Sequence, residues 1–152
     1  MEGKSKHVLA VASGGGHWTQ LRRLEPAFAG HRISYVSTHP GYRSEVGDAR
    51  FYKVRNASRW DRLGLILLAF HMLWIVIRER PGTVISTGAA PGYFAILFGK
   101  LIGARTIWID SLANVNKMSL SGRRIRRFAD LWLTQWEDLA GPDGPEFLGS
   151  VL

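Results

Sequence analysis

The 152-residue chain contains no cysteine, which excludes a disulfide framework and any metal site built from thiolates. It also lacks low-complexity stretches, and with 46% hydrophobic and 21% charged residues it has the composition of a folded protein. The length is enough for one domain with a real core and hardly enough for two. We therefore predict a single domain over residues 1–152.

Acidic residues are few, since 12 Asp and Glu stand against 20 Lys and Arg, giving a formal net charge of +8. Such an excess favours contact with nucleic acid, anionic lipid or a phosphorylated substrate. No recognised nucleic-acid-binding motif is present and the aromatic residues lie mostly in apolar runs, so we expect no nucleic-acid partner. The sequence also has no Asp-x-Asp motif, and we predict neither a metal ion nor another cofactor.

Short apolar runs alternate with helical patterns along the chain. The runs predict strands at residues 7–12, 32–37, 50–55, 83–88, 105–110 and 131–136, and the helical patterns lie at 18–29, 59–79 and 93–102. This order predicts an α/β fold with a Rossmann-like, doubly wound parallel sheet. The first run is too short for a secretion signal, so we expect a cytoplasmic start.

Two glycine-rich turns, "SGGGHWTQ" and "STGAAPG", follow the first and fourth predicted strands and open helices. Such turns let the backbone approach a ligand, and the helix N–H groups suit a phosphate. The first turn matches neither nucleotide fingerprint, G-x-G-x-x-G or G-x-x-x-x-G-K-[ST], which disfavours a nucleotide-binding Rossmann or P-loop protein. Two such turns at one sheet edge suit a diphosphate better than a single phosphate. The candidates for diphosphate contact are Gly14, Gly15, Gly16, Thr19, Gly88, Ala89, Ala90 and Gly92. The alternatives are that the first turn merely reverses the chain and that Gly92 only permits close helix packing.

His17 and Asp110 are the candidate catalytic residues, because each ends up beside a loop at the carboxyl edge of the predicted sheet. Either side chain is able to take a proton from a hydroxyl group. Helix capping by His17, and capping of the next turn by Asp110, are the structural alternatives. The polar segment 111–127 is expected to be a long loop lining the site. Its candidate substrate contacts are Asn114, Lys117, Ser119, Ser121 and Arg123.

The run at 63–77 is apolar except for His71 and is flanked by arginines. As a helix it spans roughly 22 Å, which is short of the roughly 30 Å hydrocarbon core of a bilayer. We predict that it lies in the membrane interface, and the alternative is a fully buried crossover helix. The predicted membrane contacts are Arg59, Trp60, Arg62, Leu67, Phe70, Trp74 and Arg78.

A family resemblance is carried by stretches that cover nearly the whole chain: "ASGGGHWTQL", "YRSEVG", "STGAAPG", "IDSLANVNKMSLSGR", "FADLWLTQW" and "FLGSVL". They resemble the PssD-type subunits of bacterial exopolysaccharide glycosyltransferases. That family is related to the membrane-recruiting subunit of the two-subunit UDP-N-acetylglucosamine transferase of the dolichol pathway.

The resemblance implies the amino-terminal half of a split GT-B glycosyltransferase, similar to the acceptor half of MurG. In that family this half binds a polyprenyl diphosphate-linked sugar, while a PssE-type partner subunit carries most of the UDP-sugar site, and the resemblance implies the same for this chain. By position, Gly15, Gly16 and His17 match the family's G-G-H turn at the acceptor diphosphate. The eukaryotic relatives' transmembrane anchor has no counterpart here, which implies peripheral or monotopic attachment at the cytoplasmic face of the membrane.

The expected activity is therefore transfer of a sugar from a UDP-sugar to the lipid-linked acceptor, in exopolysaccharide or lipid-linked oligosaccharide biosynthesis. A GT-B enzyme reacts in the cleft between two Rossmann-like domains, and this length supplies one, so activity is expected to require the partner. The alternative is a non-catalytic membrane scaffold that recruits the catalytic partner.

Overall fold

The computed structural model describes residues 6–151, which form one parallel sheet flanked by helices. The strands are β1 (His7–Ala12), β2 (Arg32–Ser37), β3 (Arg50–Lys53), β4 (Thr83–Gly88), β5 (Arg105–Ile109), β6 (Leu131–Thr134) and β7 (Glu146–Phe147). The α-helices are α1 (Gly16–Arg23), α2 (Arg62–Glu79), α3 (Ala90–Leu101) and α4 (Leu120–Ile125).

The strand order is β3-β2-β1-β4-β5-β6-β7, and every neighbouring pair is parallel. The chain adds strands on one side of β1 as far as β3 and then returns to add β4 and its successors on the other side. The order therefore reverses between β1 and β4, where the carboxyl ends of the strands leave a crevice. The predicted α/β, Rossmann-like doubly wound sheet is confirmed.

All six predicted strands are present, whereas the helix predicted at 18–29 is wrong at its carboxyl end. It stops at Arg23, and Glu25–Phe28 continues as a 3₁₀ turn. Pro26 explains the change, because it has no N–H group for a helical hydrogen bond and its ring crowds the preceding turn.

The polar segment 111–127 is not one long loop, because it contains helix α4. The Ser119 hydroxyl begins this helix by accepting a hydrogen bond from the Gly122 N–H at 2.9 Å. The loop that remains, between β5 and Ser119, is short enough to be held by a few side chains.

Alternate residues of β1 face opposite sides of the sheet, so that both sides of this central strand are buried. Leu9 and Val11 lie in a core with α2 and α3, whereas Ala10 and Ala12 lie in a second core with α1. This burial on both faces explains why the strand reads as an uninterrupted apolar run.

Helix α2 buries one stripe against the sheet, including Leu68, Met72 and Ile75, but its opposite face is apolar and exposed. We call the exposed set the α2 apolar face. It consists of Leu63, Ile66, Leu67, Phe70, Trp74 and Ile77, each at least 45% exposed. The alternative of a fully buried crossover helix is therefore wrong, because the sheet covers only one side of α2. Between residues 6 and 151, no helix is both long and apolar enough to span a membrane.

A buried carboxylate ties α2 to the amino-terminal edge of the sheet. The Glu79 side chain is 0% exposed and accepts hydrogen bonds from Ser34 Oγ and Arg50 Nη1, both at 2.7 Å, and from the Tyr52 hydroxyl. Burial alone would raise the pKa of Glu79, but the hydrogen bonds from Ser34, Tyr52 and Arg50 lower it to about 2. Glu79 is thus charged and joins α2, β2 and β3 far from the crevice.

Candidate functional site

A polar cleft of about 380 Å³ lies at the crevice between β1 and β4. Three segments that follow β1, β4 and β5 contribute to it, together with the segment before α2 and the start of α4. Its lining is His17, Ala57, Ser58, Arg59, Thr87, Gly88, Ala89, Ala90, Asp110, Ser111, Ala113, Asn114, Ser119, Leu120 and Ser121. The fold therefore brings both candidate catalytic residues and the second glycine-rich turn to one cavity.

His17 is held in one tautomer by the end of β4. Its Nδ1 lies 2.9 Å from the Thr87 carbonyl oxygen, and the Thr87 hydroxyl donates back to the His17 carbonyl at 2.6 Å. Because a carbonyl oxygen only accepts hydrogen bonds, Nδ1 carries the proton and Nε2 of the neutral ring keeps its lone pair. No protein group within residues 6–151 hydrogen-bonds Nε2, so this atom is available to accept a proton from a ligand.

Gly88 forms the surface on which the His17 ring rests. A Cβ atom at this position would lie 2.6 Å from His17 Nδ1, and the Gly88 φ of 118° is a conformation that side chains rarely adopt. The second glycine-rich turn therefore seats the histidine of the first turn. This contact between sites 71 residues apart was not predicted from the sequence.

The two glycine-rich turns contribute differently to the cleft. Gly88, Ala89 and Ala90 line it, whereas Gly14, Gly15, Gly16 and Thr19 do not. The N–H of Gly15 is already donated to the Tyr42 hydroxyl at 2.9 Å. Neither α1 nor α3 has a side-chain cap at its first turn, which leaves N–H groups there for an anionic ligand.

Asp110 lines the cleft, but the residue is 2% exposed and its carboxylate accepts four hydrogen bonds. The donors are Trp108 Nε1 at 3.0 Å, Asn114 Nδ2 at 3.1 Å, Ser119 N at 2.8 Å and Ser119 Oγ at 2.6 Å. These bonds occupy about all the lone-pair positions of a carboxylate. The geometry is thus that of the capping alternative, in which Asp110 holds the loop between β5 and α4.

Of the predicted substrate contacts, Asn114, Ser119 and Ser121 line the cleft, whereas Lys117 and Arg123 are exposed outside the lining. Sequence reasoning missed Ser58 and assigned Arg59 to the membrane alone, although both line the cleft. The seven predicted membrane contacts are all exposed. Across the described part of the chain, no group of three or more His, Asp or Glu side chains is placed to hold a metal ion.

An apolar pocket of about 180 Å³ adjoins the polar cleft and shares Arg59, Ala90, Leu120 and Ser121 with it. Its remaining lining is Leu65, Tyr93, Phe94 and Arg124. The combined cavity therefore carries hydrogen-bonding side chains around His17 and aromatic and aliphatic side chains at α2 and α3, with an arginine where the two parts meet.

Gly92, a predicted diphosphate contact, is a buried residue of α3 that faces the sheet and is not in the cleft lining. A Cβ there would lie 1.8 Å from Ser86 Oγ and 3.4 Å from the Trp108 ring. This geometry is that of the packing alternative, in which the glycine permits close approach of α3 to the sheet.

We expect Gly92→Ala to lower the free energy of unfolding by about 1–3 kcal/mol, because the added methyl group overpacks this contact. Chemical denaturation measures the change. Gly82→Ala is the matched control, since the nearest atom to a Cβ there is 3.9 Å away, and its effect should stay within about 0.5 kcal/mol. Equal stability of the two variants would contradict the packing role.

Comparisons with known proteins agree with this architecture. A family model described as "Oligosaccharide biosynthesis protein Alg14 like" matches residues 46–150. The UDP-N-acetylglucosamine transferase subunit ALG14 of Yarrowia lipolytica is 36% identical over 72 residues, which are 43% of this chain and 33% of that protein. The mouse subunit of the same name is 23% identical over 172 residues, covering 90% of this chain and 78% of the mouse protein.

Among solved structures, MurG of Acinetobacter baumannii superimposes with a TM-score of 0.76 at 14% sequence identity. The superposition covers 97% of this chain and 46% of MurG. At this identity the likeness shows the fold alone, and it agrees with the seven-stranded Rossmann-like sheet of one half of a GT-B glycosyltransferase. Because the family model matches more than half of the residues, the chain belongs to the Alg14-like family of oligosaccharide biosynthesis proteins.

Proposed function

We propose that the chain is the acceptor-binding subunit of a two-component glycosyltransferase. The enzyme would transfer a sugar from a UDP-sugar to a polyprenyl diphosphate-linked sugar, in lipid-linked oligosaccharide or exopolysaccharide biosynthesis. The observation that carries the proposal is the cleft that His17 lines together with the second glycine-rich turn, with Nδ1 bonded to the Thr87 carbonyl and Nε2 unbonded. The names of the relatives, which are UDP-N-acetylglucosamine transferase subunits, support it.

The cavity suits a lipid-linked diphosphate because its polar and apolar parts are continuous. The diphosphate would lie against the uncapped start of α3 and the Arg59 guanidinium, which supply N–H donors and positive charge. The first isoprenoid unit would enter the apolar pocket at Leu65 and Phe94. Asn114, Ser119 and Ser121 would hydrogen-bond the acceptor sugar.

In the proposed reaction His17 is the general base. Its Nε2 takes the proton of an acceptor sugar hydroxyl, the oxygen attacks the anomeric carbon of the UDP-sugar, and UDP leaves with inversion at that carbon. The Thr87 carbonyl holds the ring in the required tautomer and is placed to stabilise the imidazolium that forms. Asp110 remains the second candidate base, but one of its four hydrogen bonds would have to break first.

The donor would be supplied by another chain. One Rossmann-like sheet provides one wall of a GT-B active site, and the UDP-sugar pocket would lie mainly on a PssE-like, donor-binding partner. Helix N-termini of that partner would hold the leaving diphosphate.

The α2 apolar face supports attachment to a membrane surface. Apolar side chains at the solvent side of a helix, with Arg59, Arg62 and Arg78 beside them, are typical of a helix that lies in the headgroup region. Trp60 is 79% exposed and the Arg59 guanidinium lies 4.6 Å from its ring. We propose peripheral attachment at the cytoplasmic face, where the lipid carrier would present its diphosphate to the cleft.

We expect Phe70→Glu to weaken binding to vesicles containing phosphatidylglycerol by about tenfold or more, because it removes roughly 2 kcal/mol of apolar burial and adds a negative charge. Vesicle sedimentation measures the partition coefficient. Leu148→Glu is the matched control, since Leu148 is equally exposed but lies away from α2. An equal loss of vesicle binding in both variants would show that the α2 apolar face is not the membrane-binding surface.

Co-expression with a donor-binding subunit tests the proposed function. The purified complex is assayed with UDP-N-acetylglucosamine, UDP-glucose and UDP-glucuronate against polyprenyl diphosphate-linked sugars. We expect transfer from one donor, and no transfer by either subunit alone. No transfer from any of the three by a complex that assembles would count against the enzyme and favour the scaffold alternative.

A further inference from the structure

Two buried glutamines lie behind the candidate site and hydrogen-bond each other. Gln20 of α1 and Gln135, which follows β6, are 115 residues apart, and Gln135 Nε2 donates to Gln20 Oε1 at 2.6 Å. Both are buried, at 7% and 3% exposure. A buried amide pair is costly unless its other donors and acceptors are also satisfied, so their remaining partners identify what the pair holds.

On one side, the pair holds the loop that follows β5. Gln20 Oε1 accepts from the Leu112 N–H at 3.0 Å, and Gln20 Nε2 donates to Ser111 Oγ at 3.2 Å. Gln135 Nε2 also donates to the Asp110 carbonyl at 2.9 Å. Asp110 and Ser111 line the cleft, so two of these hydrogen bonds fix the backbone from which the cleft residues project and the third holds the Ser111 side chain.

On the other side, the pair holds the segment 148–151, which we call the tail. Gln135 Oε1 accepts from the Val151 N–H at 2.9 Å, and Arg23 donates to the Val151 carbonyl at 2.9 Å. The tail covers a cavity of about 220 Å³ whose other walls include Leu24, Ile109 and Leu133. Leu148 itself is 71% exposed, so the tail is anchored mainly at Val151.

We propose that Gln20 and Gln135 are positioning residues that couple the position of the tail to the geometry of the loop at residues 110–112. The Gln135 amide accepts from the Val151 N–H through Oε1 and donates to Gln20 and Asp110 through Nε2. Loss of the Val151 N–H is therefore expected to change the orientation of this amide. The Gln135 amide positions the Gln20 amide, whose oxygen accepts from the Leu112 N–H, and it also donates directly to the Asp110 carbonyl. Consequences for acceptor binding rest on the proposed function, whereas the coupling itself does not.

The coupling is tested by amide hydrogen exchange of Leu112, followed by NMR on the full chain. Val151→Pro removes the donated N–H, and Val151→Ala keeps it as the matched control. We expect Val151→Pro to speed exchange at Leu112 about threefold or more and Val151→Ala to leave it unchanged. We expect Gln20→Leu to speed it about threefold to tenfold, because the acceptor is removed.

The double variant decides whether the pair transmits the effect. If it does, adding Val151→Pro to Gln20→Leu speeds Leu112 exchange no further. Additive effects, or wild-type exchange in Val151→Pro, would overturn the proposal. Exchange at Val84 in the sheet core serves as the internal reference, and a rise there in any variant would mean general destabilisation and would also count against it.

In the assembled transferase the same variants separate positioning from folding. Val151→Pro is expected to raise the KM for the lipid-linked acceptor severalfold while the KM for the UDP-sugar is unchanged. Loss of kcat with both KM values unchanged would contradict a positioning role. If no variant, including the parent, transfers sugar, the proposed function fails while the exchange data still decide the coupling.

Discussion

Replacing His17 by alanine is expected to slow sugar transfer by the assembled complex by about 10²–10⁴-fold, the usual contribution of a general base. The Nδ1 bond to the Thr87 carbonyl leaves Nε2 as the proton acceptor, and no other described side chain in the cleft offers an unbonded imidazole. The rate is measured at saturating donor and acceptor, with complex formation checked by gel filtration.

His31→Ala is the matched control, because His31 is exposed and lies at the opposite edge of the sheet, next to the start of β2. Its rate should equal that of the parent complex. If His17→Ala keeps full turnover and full partner binding, His17 is not the base, and the scaffold alternative gains support.

Replacing Glu79 by alanine is expected to lower the free energy of unfolding by about 2–4 kcal/mol, because a fully buried carboxylate that accepts three hydrogen bonds is removed, while Arg50, whose side chain is 51% exposed, stays solvated. The side chain is fully buried, and its loss leaves the Ser34 hydroxyl and the Arg50 guanidinium without their acceptor. Urea denaturation measures the change. Glu137→Ala, at an exposed position, should change stability by less than about 0.5 kcal/mol.

The same carboxylate predicts an acid-sensitive fold. Its pKa is about 2 in the folded chain against an ordinary value of 4.5, so folding favours the charged form. The contribution, about 3 kcal/mol, is therefore fully present above pH 4.5 and is lost as the pH falls from 4.5 towards 2. In Glu79→Gln the stability should fall less steeply across this window, and an unchanged pH profile would show that Glu79 is not held in its charged form.

The strands could be predicted from the sequence because each is a short segment that contains β-branched, aromatic or other apolar residues and lies between turn or helix patterns. The sequence could not predict which face of α2 is exposed, because the helix is apolar on both faces and the position of the sheet decides which face is covered. Strand β7 has two residues, too few for any periodicity to indicate it.

For the candidate site, the sequence predicted which residues take part but not what each residue does. Local patterns predicted the glycine-rich turns and the two titratable side chains, because turn residues and charged groups stand out in an apolar sequence. Their roles depend on contacts between distant segments. The Thr87 carbonyl sets the His17 tautomer, and Ser119 occupies the Asp110 carboxylate. Gln20 and Gln135 each stand between a threonine and an apolar residue, a local pattern that does not reveal a partner 115 residues away.

The most direct test of the central claim is ligand binding by this chain alone. A water-soluble, short-chain prenyl diphosphate-linked N-acetylglucosamine and UDP-N-acetylglucosamine are titrated separately into the chain and followed by NMR. We predict saturable binding of the lipid-linked sugar, with the largest shifts at His17, Gly88 and Ser119, and no binding of UDP-N-acetylglucosamine. Saturable binding of UDP-N-acetylglucosamine in this cleft, with none of the lipid-linked sugar, would contradict the account.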